Sequence, residues 1–520
     1  MFNLFIALAL LLFAIALGWL ASRTRTPYPI VLVLGGVGLG FVPGLPPVAF
    51  DPQLLLVMVL PPILYQAAFA TSWRDFRANQ RAIGMLAIGL VLATTLAVGA
   101  VLKLLVPDIP WAIAFAFGAI VSPPDAVAAT AILSRLSIPR RVVTILEGES
   151  LVNDASGLVL YKIAIVAALT GSFSLMEATG EFVWVATAGI AIGLLVAWIS
   201  VPATKAVKEP LLQCLVSIAV PYAAFLAAEV VQVSGVLAVV AAGLARSRSA
   251  AVIATPQSRL MVIAMWNIVV FSLNSFIFML IGWQLRGILE RIPGFGLGEL
   301  LAMGLALSGA AIAVRFLWVF PATYLARFLS ASLRRVDPYP EPNQVFVTAW
   351  CGMRGIVSLA VALALPLTLH DGTPFPYRDL LIFLTFAVIA VTLVGQGLTL
   401  APVIRALKVG ADWSAHEEER GARLAVANAA MRGIDHFVEK EGVDAGQVVH
   451  LRQLYLDERD AQMPRGLVMP EEADIGRKAR RAAMRAQRHE LLELWRSSRI
   501  SDEVFHQLER ELDYEESLYG

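Results

Sequence analysis

The chain of 520 residues is 58% hydrophobic and only 16% charged, with a mean hydropathy of +0.72. That balance excludes an ordinary soluble globule and points to an all-α polytopic membrane protein. The net charge of +1 gives no pointer to nucleic acid, and the two cysteines, Cys214 and Cys351, lie in apolar segments as packing residues, not as a disulfide framework.

Stretches apolar and long enough to cross about 30 Å of hydrocarbon are expected near 2–21, 28–47, 53–71, 82–106, 110–134, 142–170, 181–203, 211–230, 233–245, 260–285, 297–326, 343–369 and 379–404. The first lacks the basic leader of a signal peptide and reads as a membrane helix; the ninth is short. Loop charge supports this count of 13. Odd-numbered loops carry Arg23 and Arg25, then Arg74, Arg77 and Arg81, then Arg135, Arg140 and Arg141, then Lys205 and Lys208, then Arg246, Arg248 and Arg259, then Arg327, Arg334 and Arg335. Even-numbered loops hold only Arg286, Arg291 and Arg378, with Lys103 at a helix end. The positive-inside rule then puts the odd loops in the cytoplasm, the N-terminus outside and the C-terminal tail inside a cell membrane.

The fifth segment contains Ser122-Pro123-Pro124-Asp125 in mid-span. Proline cannot continue a helix, but Ser122 suits the N-cap of a new one, with the prolines in its first turn and Asp125 third. The segment therefore reads as a discontinuous helix whose freed carbonyls could face a cation. The alternative is a proline kink that Asp125 merely caps, and Asp125 fits a cap better than a ligand.

In the sixth segment Ser150, Asn153, Asp154, Gly157 and Tyr161 share one helical stripe. A carboxylate in mid-bilayer costs about 3 kcal/mol or more, and such groups usually handle ions or protons. Asp154 and Ser150 are the expected Na+ ligands, with Asn153, Ser122, Pro123 and Asp125 around them; the alternative is a structural acid paired with a base. Glu149 and Arg315 would each be costly alone in the membrane, so a supporting ion pair is expected. The twelfth segment carries Gly352, Arg354 and Gly355 in mid-span. If segments 1–6 and 8–13 form two halves, the offset of seven inverts one relative to the other and makes the fifth and twelfth equivalent. Arg354 would then oppose excess positive charge at the site, or hold carbonyl ends of the broken helices.

His370 is the one histidine of the apolar part and falls in a loop. With no HExxH motif, Cys/His cluster or GxxxxGK[ST] run, neither an enzyme, nor a cofactor, nor ATP-driven transport is expected. Residues 409–520 change character and read as a helical cytoplasmic tail. Ser414 could cap a helix through Arg432, with a second helical pattern near 445–462. Arg477, Lys478, Arg480, Arg481, Arg485 and Arg488 form a basic face, and Ser501 opens a last helix. Regulation at the membrane surface and a plain solvated tail remain alternatives.

The runs Leu60–Phe69, Ser122–Thr130, Glu147–Gly157, Arg315–Tyr324 and Gly352–Ala360, in that order, make residues 1–408 resemble the monovalent cation:proton antiporter family, in its electroneutral sodium/proton exchanger branch with the Asn-Asp pair. The resemblance implies a homodimer, with a dimerisation subdomain and a core holding two crossed broken helices. It implies that Asp154 binds cation and proton in turn, that Asn153 and Ser150 support it, and that Glu149 pairs with Arg315. Two positions depart from the pattern. Gln66 stands where members often carry an acid, and Pro124 interrupts their Ser-Pro-Thr-Asp or Thr-Asp-Pro, which leaves the choice of ion open. A single titratable carboxylate leads to the expectation of 1:1 exchange of Na+, or Li+, for H+. K+/H+ exchange on the same scaffold and a gated cation channel are the alternatives.

Overall fold

A computed structural model of the chain describes residues 2–442 apart from 25, 43–51, 134–135, 137, 172–174, 254, 293, 370–371 and 411–412, together with scattered positions between 448 and 497. Two compact units result, Met1–Asp412 and Trp413–Gly520.

The first unit is helical, and among the described residues its only β pairing is an isolated bridge between Thr368 and Pro374. In chain order its apolar elements are α1 (Phe2–Thr24), α2 (Tyr28–Gly40), α3 (Pro52–Ala70), α4 (Gln80–Leu105), the interrupted α5a (Trp111–Val121) and α5b (Ala126–Leu133), α6 (Arg140–Thr170), α7 (Leu175–Ala206), α8 (Pro210–Val230), α9 (Gly235–Ile253), α10 (Pro256–Leu289), α11 (Leu297–Leu329), the interrupted α12a (Pro342–Trp350) and α12b (Ile356–Leu363), and α13 (Arg378–Ala406). Eight of the described helical spans are long and apolar enough to cross a bilayer. Each expected stretch has its helix. The ninth, however, runs on to Ile253 through Arg246 and Arg248, because the buried Arg246 guanidinium donates to the Ser200 carbonyl at 3.5 Å and need not reach water. The second stops at Gly40, short of its expected end.

Packing sorts these helices into two groups. In one, α2 lies against α10, and α9 lies against α3, α7 and α8. In the other, α4 packs on α5a, α5a on α6, and α11 on α4, α12a and α13. Two wide π-helical turns, Met85–Leu90 in α4 and Val391–Gln396 in α13, free backbone groups inside the second group. Ser156 Oγ donates to the Ala87 carbonyl there, and Trp318 Nε1 to the Met85 carbonyl at 3.0 Å. The groups meet where α3 touches α6, and α10 touches α12b.

The second unit contains α14 (Trp413–Glu441). Ser414 lies inside that helix, so it does not cap it, and the helix continues past Arg432. The expected basic face at 477–488 and the last helix from Ser501, like His370, lie outside the described residues, and the 445–462 pattern is described only at scattered positions.

Candidate ion-binding site

The breaks in α5 and α12 meet. The Asp125 N–H donates to the Met353 carbonyl at 2.7 Å, and the Asp125 carboxylate accepts from the Val127 N–H at 2.8 Å and from the Ile356 backbone. One carboxylate thus covers the positive N-terminal ends of both α5b and α12b. Arg354 does the reverse. Its Nε donates to the Val121 carbonyl at the end of α5a, and its Nη1 to the Gly352 carbonyl just past α12a, each at 2.6 Å. Its own N–H reaches Thr392 Oγ1, in the wide turn of α13, at 3.1 Å. Of the two expected roles for Arg354, the geometry realises the binding of carbonyl ends. Gly355 is required here, since a Cβ on it would lie 1.7 Å from Asp125 Oδ2.

Ser122 corrects the sequence reading. It ends α5a instead of starting α5b, and its hydroxyl turns back to the Ala119 carbonyl at 3.0 Å. The N-cap falls to Asp125, three residues later, because only there does the chain meet the α12 break.

On α6, the stripe faces this crossing. Ser150 Oγ accepts from the Ala126 N–H at 3.3 Å, and Asn153 Nδ2 donates to the Pro124 carbonyl at 3.3 Å while its Oδ1 is left without a partner. Gly157 admits Pro123, whose ring would come within 2.5 Å of a Cβ there. Tyr161, at the far end of the stripe, donates to the Ala364 carbonyl at 3.4 Å. Asp154 is 6% exposed, and what it sees is a cavity of about 270 Å³ between the two helix groups. Pro123, Asp125, Ser150 and Gln66 line the same cavity. Among the described residues the Asp154 carboxylate has no hydrogen-bond or ion-pair partner.

Glu149 and Arg315 form a two-pronged pair, Nη1 to Oε1 at 2.5 Å and Nη2 to Oε2 at 2.7 Å, with both side chains 1% exposed. Nε and Nη2 of Arg315 also donate to the Thr348 carbonyl at 3.3 and 3.0 Å. The pair therefore ties α6, α11 and α12a together beside the site. With Glu149 and Arg315 matched to each other, Asp154 is left as a buried acid on the cavity wall without a partner among the described residues.

A family model described as sodium/hydrogen exchanger, transmembrane, matches residues 8–406. The chain belongs to the sodium/hydrogen exchanger family. It is 34% identical over 524 residues to an uncharacterized Na+/H+ exchanger of Mycobacterium tuberculosis, covering 99% of this chain and 96% of that one. It is 32% identical to a sodium, potassium, lithium and rubidium/H+ antiporter of Bacillus subtilis, over 75% of this chain and 60% of the relative. The sodium proton antiporter MjNhaP1 of Methanocaldococcus jannaschii shares the fold, with a TM-score of 0.62 at 19% identity over 78% of this chain and 97% of that one. The exchangers are multi-pass membrane transporters, not enzymes, and Na+ and H+ are the family's ions.

Sequence reasoning passed over several residues of this exchanger's cavity. Asn274, Ser358, Thr71, Thr130 and Glu147 all line it. The signal for Asn274 was available, as an amide near the midpoint of the apolar α10.

Proposed function

We propose that the chain exchanges Na+ for H+ one for one by alternating access, with both ions competing for Asp154. The observation that carries this reading is a mid-membrane carboxylate, Asp154, that faces a cavity without a partner while Glu149 and Arg315 beside it neutralise each other. The Ser150 hydroxyl lines the same cavity, and Asn153 brings a buried amide oxygen without a partner on the neighbouring position of α6; a partly dehydrated cation requires such neutral oxygens. Asn153 occupies the adjacent position with an amide, so no second titratable group joins the cycle there. If the empty, charged Asp154 cannot cross, only the loaded or protonated carrier moves, and exchange without net charge transfer follows.

The cavity extends from Asp154 toward Glu147 and Thr71. These lie near the ends of α6 and α3 flanked by Arg140, Arg141, Arg74 and Arg77. By the positive-inside rule that side is cytoplasmic, and the conformation is open inward. Dimerisation through the first helix group follows from the family resemblance, and the mass of the purified particle tests it.

Dissipation of a pH gradient in vesicles on adding Na+, Li+ or K+ is the deciding experiment. Wild type should respond, and Asp154→Asn should fold but not respond; retained transport would refute the assignment. Equal rates at imposed membrane potentials of either sign are expected, and a voltage-dependent rate would remove the 1:1 ratio. K+ is a second candidate substrate because the Bacillus relative is named for potassium as well.

A further inference from the structure

Two polar oxygens, on residues that line the cavity, are unexplained by the site as built above. Asn274 is 0% exposed. Its Nδ2 donates to the Tyr28 hydroxyl at 3.3 Å, which orients the amide, and its Oδ1 has no partner at all. Ser358, 2% exposed and the third residue of α12b, likewise has an Oγ with no partner. Native proteins retain few buried polar atoms in this condition, because each forgoes a hydrogen bond that water would have supplied. Both residues line the cavity that holds Asp154. Asn274 comes from α10 in the first helix group, and Ser358 and Asp154 from the second.

We propose that Asn274 Oδ1 and Ser358 Oγ are oxygen ligands of the transported cation in this conformation, and that Asn274 sets the affinity on the side from which the cavity is entered. The proposal rests on the exchange reading above and extends it. A monovalent cation that sheds water needs neutral oxygens in place of its hydration shell as well as a countercharge. Asp154 supplies the countercharge, and these two supply oxygens from facing walls. Because Asn274 belongs to the group opposite Asp154, a shift of one group past the other would part it from the ion. The ligand set would then be complete on one side of the cycle and short by one oxygen on the other, so release is favoured after the switch. The Tyr28 hydroxyl acts as a positioning group, fixing which end of the amide faces the cavity.

The test is the cation dependence of proton flux in proteoliposomes at alkaline pH. Asn274→Ala should raise the apparent KM for Na+ about tenfold, the effect of one lost ligand, with the maximal rate preserved. Ser358→Ala should raise it several-fold. Asn274→Asp keeps an oxygen in place and adds charge, so it should restore or lower the KM and alter the order among Li+, Na+ and K+. An Asn274→Ala protein with unchanged KM, or one that loses only maximal rate, overturns the proposal in favour of a purely structural amide. Should Asn274→Ala not fold, Asn274→Asp decides alone, and an unchanged KM with unchanged ion order overturns it. Wild-type flux that vanishes in Asp154→Asn while the Asn274 variants keep their KM defeats this proposal only. Absence of cation-driven flux in wild type defeats the exchange reading and this one with it.

Discussion

Replacing Arg315 by methionine keeps much of the side-chain volume and removes a guanidinium that makes two bonds to Glu149 and two to the Thr348 carbonyl. Glu149, 1% exposed, is then a buried carboxylate with no countercharge. Breaking a buried pair from one side costs about 3–5 kcal/mol. Glu149→Gln alone strands the guanidinium at similar cost. The double variant removes both charges and leaves mainly lost hydrogen bonds, about 1 kcal/mol each. The two single losses should therefore sum to about 6–10 kcal/mol, against about 4 kcal/mol for the four bonds lost in the double variant, a coupling of about 2–6 kcal/mol. Against a total stability of about 5–15 kcal/mol, each single variant should lose much of its folded yield, and the double variant should lose little more, far less than the additive sum. Heat or denaturant unfolding of the four detergent-purified proteins, followed by size-exclusion fluorescence, measures the cycle. Additive losses, with coupling below about 0.5 kcal/mol, would show that the two charges do not depend on each other.

Three further outcomes follow from the same geometry. Gly355→Ala drives a methyl to 1.7 Å from Asp125 Oδ2 and should abolish exchange and lower folded yield, while adding Asp125→Ala should recover yield without exchange; a fully active Gly355→Ala protein contradicts the close approach. Arg354→Gln removes the positive charge at two helix C-termini, each worth about 0.3–2 kcal/mol, so its melting temperature should fall by several degrees, with Arg354→Lys between the two; an unchanged melt rules out the capping role. Lowering the pH protonates Asp154 and removes the form that binds cation, so the apparent KM should rise as pH falls while the maximal rate at saturating cation holds; a fall in maximal rate at constant KM would mean the two ions do not share the carboxylate.

The break in α5 was legible because proline lacks the N–H that a continuous helix uses, and that in α12 only through its equivalence to α5 and the family resemblance. The Glu149–Arg315 pair was legible from cost, since neither charge is tolerable alone in a membrane. Which residue caps α5b was not legible. Ser122 and Asp125 both suit an N-cap locally, and the choice is made by the Met353 carbonyl and the Ile356 backbone, more than two hundred positions further along the chain. The extent of α9 was hidden for a similar reason, because Arg246 finds its acceptor at Ser200 on another helix. Asn274 went unread because one amide in an apolar span resembles packing until its orphaned oxygen and the cavity are seen together.

The shared charges at the crossing bear on how such a sequence can diverge. Asp125 serves the beginnings of two helices and Arg354 the endings of two, one of each pair lying in either half of the chain. Neither half can therefore drift by itself at these positions. Descendants that lose the acid near 125 should be found to have lost the glycine at 355 or the base at 354 as well, so the two halves of the chain are bound to evolve as partners.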